Sequence, residues 1–347
     1  MQTCDASARI TGLSNPSGQT WAWSYYDNNW LSAQNTNGQI ITTPKRDDRG
    51  AVTDLSNNRN DMASTLLSDY SVGYASNMTL GSVTASMPAA PTAYSGTTSY
   101  THDTKLQLTN ETSARGGGYN FSNVFDSAGN ATTFKGGSKT YNSSNQNTAW
   151  TFDGNGNPTT YASHTLTFDA ENRMTAYGSV MTAGYRADGL RAWKTNSGGT
   201  TYYLYDGDKM VEELNGSGTK TAVMTFGPNG VLARTDASRT LLYTQDALGQ
   251  MAQQIDASTG NIIASYLFDA WGARQVSTSD PTAASDPYSG YNTAAGYITD
   301  RETGRWAINN PSRLRMEMQA SGINRVAAGY DGDSTMPPSI QMHCPVT

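Results

Sequence analysis

The residues of this chain best suited to chemistry are its carboxylates. Asp and Glu together number 29, split as 23 Asp against 6 Glu. Glycoside hydrolysis needs two carboxyl groups facing one sugar, about 5–9.5 Å apart. Glu212 and Glu213 are adjacent, so on a strand they point to opposite faces and do not form that pair together. Glu171, Glu302 and the aspartates would have to meet across a sheet. Nucleophilic chemistry has less support. There is no G-x-S-x-G segment, no H-E-x-x-H, and only three scattered histidines, His102, His164 and His343. Asp153-Gly154-Asn155-Gly156-Asn157 and Asp206-Gly207-Asp208 place oxygen ligands at alternate positions, as Ca²⁺ loops do. No bidentate Glu follows at the needed distance. Both stretches read first as turns, with Ca²⁺ as the second reading and no other cofactor implied.

The aspartates are better explained by the elements that must carry them. A short pattern recurs: an aromatic, Asp, two variable residues, then Gly or Asn. It stands at Tyr26-Asp27, Phe125-Asp126, Phe152-Asp153, Phe168-Asp169, Tyr205-Asp206 and Phe268-Asp269, with a looser copy at Gln245-Asp246. From Asp153 onward the copies return about every 20 residues, too long for one strand and right for two strands with two turns. In each unit the aromatic ends a strand and the Asp accepts a hydrogen bond from a backbone N–H two residues on. Gly or Asn three residues after the Asp supplies a left-handed turn conformation. Asp27, Asp126, Asp153, Asp169, Asp206, Asp246 and Asp269 are accordingly the expected turn formers. One hairpin cannot bury its own apolar face, so stacked hairpins sharing a long antiparallel sheet are expected.

Composition agrees. Charged residues are 15% and Tyr (20) outnumbers Phe (7), while Ser, Thr, Asn and Gln make up about 35%. This is turn and strand composition rather than that of a helical bundle. The net charge of −6 argues against a surface that tracks nucleic-acid phosphates. No apolar run approaches the ~18 residues of a membrane helix, and Met1-Gln2-Thr3-Cys4-Asp5 shows no signal peptide. Cys4 and Cys344, at opposite ends, read as two separate free thiols in preference to a terminal clasp.

These residues resemble the YD-repeat, or Rhs, family, which includes shells of bacterial polymorphic toxins, Tc toxin components and teneurins. Phe168-Asp169-Ala170-Glu171-Asn172-Arg173-Met174-Thr175 is similar to the family's Y-D-x-x-G/N-R-L-T unit, and Tyr243 to Gln275 to its last repeats. Asp286-Pro287-Tyr288-Ser289-Gly290-Tyr291 and Asp300-Arg301-Glu302-Thr303-Gly304 resemble the family's core-associated ending. Asp300, Glu302, Thr303 and Gly304 carry that ending motif. The resemblance implies a sheet that spirals around an enclosed polypeptide. After Gly304 this chain departs from the family pattern, so neither self-cleavage nor a toxic activity is carried over.

The expected fold is all-β: stacked β-hairpin YD repeats forming a long spiralling antiparallel sheet, a partial cocoon or tube. Residues 1–120 are expected as degenerate N-terminal repeats and 121–275 as well-formed ones. Residues 276–310 are the ending and 311–347 a short divergent tail. About 24 strands at roughly 4.8 Å each give a sheet about 115 Å wide, enough for about one turn. Its free edges are expected at Trp21–Trp30 and Tyr297–Trp306. The expected function is a structural, encapsulating shell of a secreted or cell-surface bacterial protein. Its partners would be an enclosed polypeptide or other copies joined through strand edges, without nucleic acid or a membrane span. The alternatives are a glycan-binding adhesin, on the strength of the Tyr and Trp content, and a carbohydrate-active hydrolase using sheet-borne carboxylates. No catalytic residue and no metal ligand is assigned.

Overall fold

A computed structural model describes residues 1–279, 286–290, 292–300, 302–303 and 305–307. The chain is all-β. Eleven strands from Gln2–Cys4 to Tyr119–Ser122 form one antiparallel sheet, each strand pairing with its sequence neighbours. A three-stranded sheet follows over 124–138. Thirteen further strands, from Thr160–Tyr161 to Arg274–Ser279, form a second large antiparallel sheet. A two-stranded hairpin, Ile298–Asp300 with Arg305–Ala307, ends the described chain. No helix among the described residues is long and apolar enough to cross a membrane.

Local sequence accounts for the strands. In Thr20–Tyr25 (Thr-Trp-Ala-Trp-Ser-Tyr) the period-two alternation turns Trp21 and Trp23 inward and leaves Thr20, Ala22 and Ser24 in solvent. The strands Gly230–Asp236, Thr240–Gln245 and Met251–Asp256 lack that alternation because both of their faces are covered. On one face, Leu232, Ala233, Leu242 and Ile255 pack against Ile10, Trp21, Trp23, Ile40 and Leu67 of the first sheet. Farther along, Ala252 and Leu267 meet Tyr70, Val83 and Tyr94. On the other face, Met210, Met224, Phe226, Leu241, Tyr243 and Tyr266 pack around Tyr288 and Ile298 of the ending.

This layering corrects the picture of a single sheet making one open turn. The first sheet lies face to face on the second, and polar ties fasten the seam. Asn15 Nδ2 donates to Thr225 Oγ1 (3.1 Å), Gln39 Nε2 to the Ala257 carbonyl (2.6 Å) and Tyr94 Oη to the Ser265 carbonyl (3.1 Å). The edges also differ from expectation. Thr20–Tyr25 is paired on both sides, and among the described residues Gln2–Cys4 stands first in the strand order of its sheet. The region around Tyr297 belongs to a separate segment docked on the face of the second sheet. Cys4 is disulfide-bonded rather than a free thiol. The tail 311–347 lies outside the described residues.

Where the sequence pattern fades, between 55 and 120, the hairpins continue. The turns at Ala75 and Asp103 keep the backbone geometry of the others, and the left-handed position falls to Met78 (φ +66°) and Leu106 (φ +63°) in place of Gly. An L-residue with a Cβ is strained there by about 1–2 kcal/mol, offset in part by the extra chain entropy Gly loses. Leu106 is half exposed, so little burial is at stake. Leu106→Gly is therefore expected to raise stability by about 0.5–1 kcal/mol, read as a higher urea midpoint at unchanged slope.

Candidate functional site

Two arrangements stand out: a lattice of turns along one rim, and the ending docked on the second sheet. The rim is built one unit at a time. Asp169 Oδ1 accepts the backbone N–H groups of Glu171 (3.1 Å) and Arg173 (2.9 Å), and Oδ2 accepts Arg173 Nε (2.6 Å). Asn172 holds the left-handed position at φ +61°. Just before the turn a bulge between Thr167 and Phe168 shifts the register and re-aims the aromatic. Asp126, Asp153, Asp246 and Asp269 bind their own turns in the same way, with Oδ1 accepting from the residues two and four positions on. Side-chain bonds from Asn130 and Asn157, joined by the backbone donors, hold Asp126 and Asp153 below the ordinary carboxylate range. Burial dominates at Asp246 and pushes it up to about 6.

Two of the expected turn formers sit elsewhere. At Tyr26-Asp27-Asn28-Asn29 the turn opens one residue earlier, on Tyr26, whose N–H donates to the Trp30 carbonyl; Asn28 Oδ1 supplies the capping bond to Trp30 N–H. Asp206 ends its strand opposite Lys209, and Gly207-Asp208 form a tighter two-residue turn that needs no side-chain cap.

The units are also tied to one another. The Arg173 guanidinium lies 5.1 Å from the Tyr185 ring of the next unit, its Nη1 donates to the Arg186 carbonyl, and the Tyr185 hydroxyl donates back to the Met174 carbonyl (2.8 Å). Arg9, Tyr25, Tyr26 and Ile10 repeat this arrangement near the start of the chain. Tyr74, Tyr141 and Tyr205 likewise donate to the carbonyls of Val52, Ala131 and Arg191 in the preceding unit. The aromatics of the repeat thus bond between units, Arg173 bonds both within its unit and to the next, and the Asp Oδ1 bonds within one. Threonines eight residues apart flank several turns, with Thr167 Oγ1 against Thr175 Oγ1 and Thr3 Oγ1 against Thr11 Oγ1. This spacing is visible in the sequence once the Asp position is fixed.

The second arrangement gathers the ending motif. Asp300 is buried and receives both terminal nitrogens of Arg191 at 2.7 Å, with Lys194 Nζ at 3.4 Å. Burial acts to raise the Asp300 carboxyl, but the Arg191 and Lys194 charges and bonds outweigh it and hold it below its ordinary range. Glu302 accepts from Lys194 (3.0 Å) and from Asn196 Nδ2, while Thr303 Oγ1 donates to the Asp300 carbonyl. Gly304 lies outside the described residues. Nearer the centre, Asp286 accepts from the Tyr243 hydroxyl and from Gln254 Nε2 (2.6 Å), and Tyr266 Oη donates to Gln254 Oε1. Burial raises Asp286 despite the nearby Arg234. Arg191, Lys194, Arg234, Tyr243 and Gln254 were not legible as partners, because the ring closes over 32 to 109 residues of sequence.

The carboxylates considered for hydrolysis are engaged elsewhere. Glu213 is buried against Arg234 (2.9 Å), Glu302 is bound as above, and exposed Glu171 pairs with Arg173. Glu212 lies 3.8 Å from Lys220. Among the described residues no group of three or more His, Cys, Asp or Glu is arranged to hold a metal ion.

No family model matches the chain. It is 31% identical over 127 residues to the tRNA3(Ser)-specific nuclease WapA of Bacillus spizizenii and 30% identical over 127 residues to the tRNA nuclease WapA of Bacillus subtilis. The match takes in 36% of this chain and 5% of either relative. Among solved structures, a TcdB2–TccC3–Cdc42 crystal structure superposes on 94% of the chain with a TM-score of 0.68 at 15% identity. The Photorhabdus luminescens Tc holotoxin pore does so over 89% with a TM-score of 0.66 at 14% identity. The chain spans about a fifth of the length of each, 21% and 19%. The turns and the sheets they build give the chain the fold seen in these Tc toxin structures.

Proposed function

We propose that the chain is a wall segment of an encapsulating YD-repeat shell, of a secreted or cell-surface bacterial protein, whose partner is an enclosed polypeptide. The unit-to-unit rim lattice carries this reading. It makes one sheet out of many hairpins without needing a ligand, and it engages the repeat aspartates in structure rather than chemistry. The likeness to Tc toxin structures over most of the chain supports the same reading. Joining to other copies of the chain through strand edges is a second route to a closed wall.

Electron microscopy of the purified chain tests the proposal. Curved, layered walls or closed particles with a lumen are the expected result. A solid particle without a lumen, at every concentration at which the protein is homogeneous, would reject it.

A further inference from the structure

A cluster of buried charges lies where three elements meet, at the last rim turn of the second sheet and apart from the Asp286 and Asp300 contacts of the docked ending. Glu111, fully buried, sits on the strand Leu108–Ser113 of the first sheet. Asp269, 1% exposed, opens the last rim turn of the second sheet. Lys135 comes from the turn after the strand Ala131–Phe134 of the small sheet. Lys135 Nζ lies 2.5 Å from Asp269 Oδ2 and 4.9 Å from the centre of the Phe121 ring. Both Glu111 oxygens accept the Ala270 N–H at 3.1 Å, and the Tyr119 hydroxyl donates to Glu111 Oε1 at 2.9 Å. Gln275 Nε2 donates to Asp269 Oδ2 (2.7 Å), and Tyr100 and Phe121 are the strand partners beside Glu111. Beside the cluster, Trp271 packs edge-on against Phe134 at 5.1 Å, with Leu108 and Ala131.

The charge balance of this site decides its behaviour. Its ionisable groups are two carboxyls, one ammonium and the phenols of Tyr119 and Tyr100. With Asp269 ionised against Lys135, the site is neutral only while Glu111 keeps its proton. Losing that proton leaves one uncompensated negative charge away from water, and separating the layers is the way to hydrate it.

We propose that Glu111, Asp269 and Lys135 form a proton-controlled latch that closes the seam between the end of the first sheet, the small sheet and the last turn of the second, and that loosens as Glu111 ionises.

The direction follows from linkage. Burial, then the neighbouring Asp269 charge, pushes Glu111 up from 4.5 to about 7. A carboxyl raised in the folded state contributes stability that is fully present below its ordinary range and is lost as pH rises through the raised value. The Glu111 contribution to the latch is therefore full below about pH 4.5 and lost above about pH 7. Repulsion between the carboxylates adds to burial in the same sense.

Hydrogen exchange of the full chain tests this, following the peptide that contains Ala270 to Ala273 between pH 5 and 8.5 with intrinsic rates divided out. The native protein is expected to lose more than tenfold of its protection there between pH 5.5 and 8, while strands such as Leu66–Tyr74 keep theirs. Glu111→Gln keeps an acceptor for Ala270 and is expected to abolish the loss. Asp269→Asn is the second variant, because Asn142 and Asn215 open equivalent turns in this chain. It is expected to shift the loss and shrink it. Protection independent of pH in the native chain, or an equal loss in Glu111→Gln, would overturn the proposal.

Discussion

Replacing Arg191 by methionine is expected to cost about 3–5 kcal/mol and to release the docked ending. Arg191 and Asp300 have side chains 3% and 6% exposed. Their two parallel 2.7 Å bonds form the fork-to-fork geometry that makes Arg–carboxylate pairs specific. Without the guanidinium, Asp300 keeps, among the described residues, Lys194 at 3.4 Å, and Lys194 must also serve Glu302. The penalty is mostly that of a buried carboxylate left short of partners, not the net worth of the pair. Two measurements separate local from global effects. Urea unfolding gives the loss of stability, and limited proteolysis reports whether residues 286–303 become cleavable before the sheets do. The double variant Arg191→Met with Asp300→Leu is expected to recover at least half of the loss, since apolar groups of similar size leave no charge behind. Full stability in Arg191→Met alone would mean that the ending is held by its apolar contacts.

The second large effect is at Gly230. Its φ of +99° and its contact with the ending both require glycine, because a Cβ placed there would lie 2.2 Å from the Ala294 carbonyl oxygen. That neighbour is backbone and cannot rotate away. Overpacking of about 1–3 kcal/mol adds to backbone strain of about 1–2 kcal/mol, so Gly230→Ala is expected to destabilise by roughly 3 kcal/mol in total. Gly216→Ala is the control. Its nearest foreign atom is 3.7 Å from the added Cβ and its φ is not positive, so its midpoint should move little. Equal midpoints for the two variants would show that the turn at Asn292–Gly296 does not press on the second sheet.

How far the sequence speaks is clearest at particular residues. Asp169 and Asn172 state their roles locally, because a capping carboxylate and a left-handed residue act within five positions. The alternation in Thr20–Tyr25 announces which face is buried. Asp27 misleads because the neighbouring Asn28 offers an equivalent cap, so the turn starts one residue earlier. Met78 and Leu106 hide their units by filling a glycine position with a strained residue. The ring around Asp286 and the Arg191–Asp300 pair were out of reach for another reason: their partners are fixed by how layers stack, and a repeat of nearly equivalent hairpins does not say which hairpin faces which. The face-to-face stacking of the two sheets was missed on the same ground.

The two-faced burial of Gly230–Asp236, Thr240–Gln245 and Met251–Asp256 sets an order of assembly. Each hairpin closes between neighbours in sequence and can form early, yet Asn15 must find Thr225 and Gln39 must find Ala257 more than 200 residues away. On a ribosome the first sheet is finished long before its counterpart emerges, and the surface built from Met210, Phe226, Leu241 and Tyr243 stays bare until residues 286–300 are synthesised. During that interval the nascent chain presents a sticky apolar strip, which makes translation speed through the last repeats, and any chaperone that shields them, a determinant of yield.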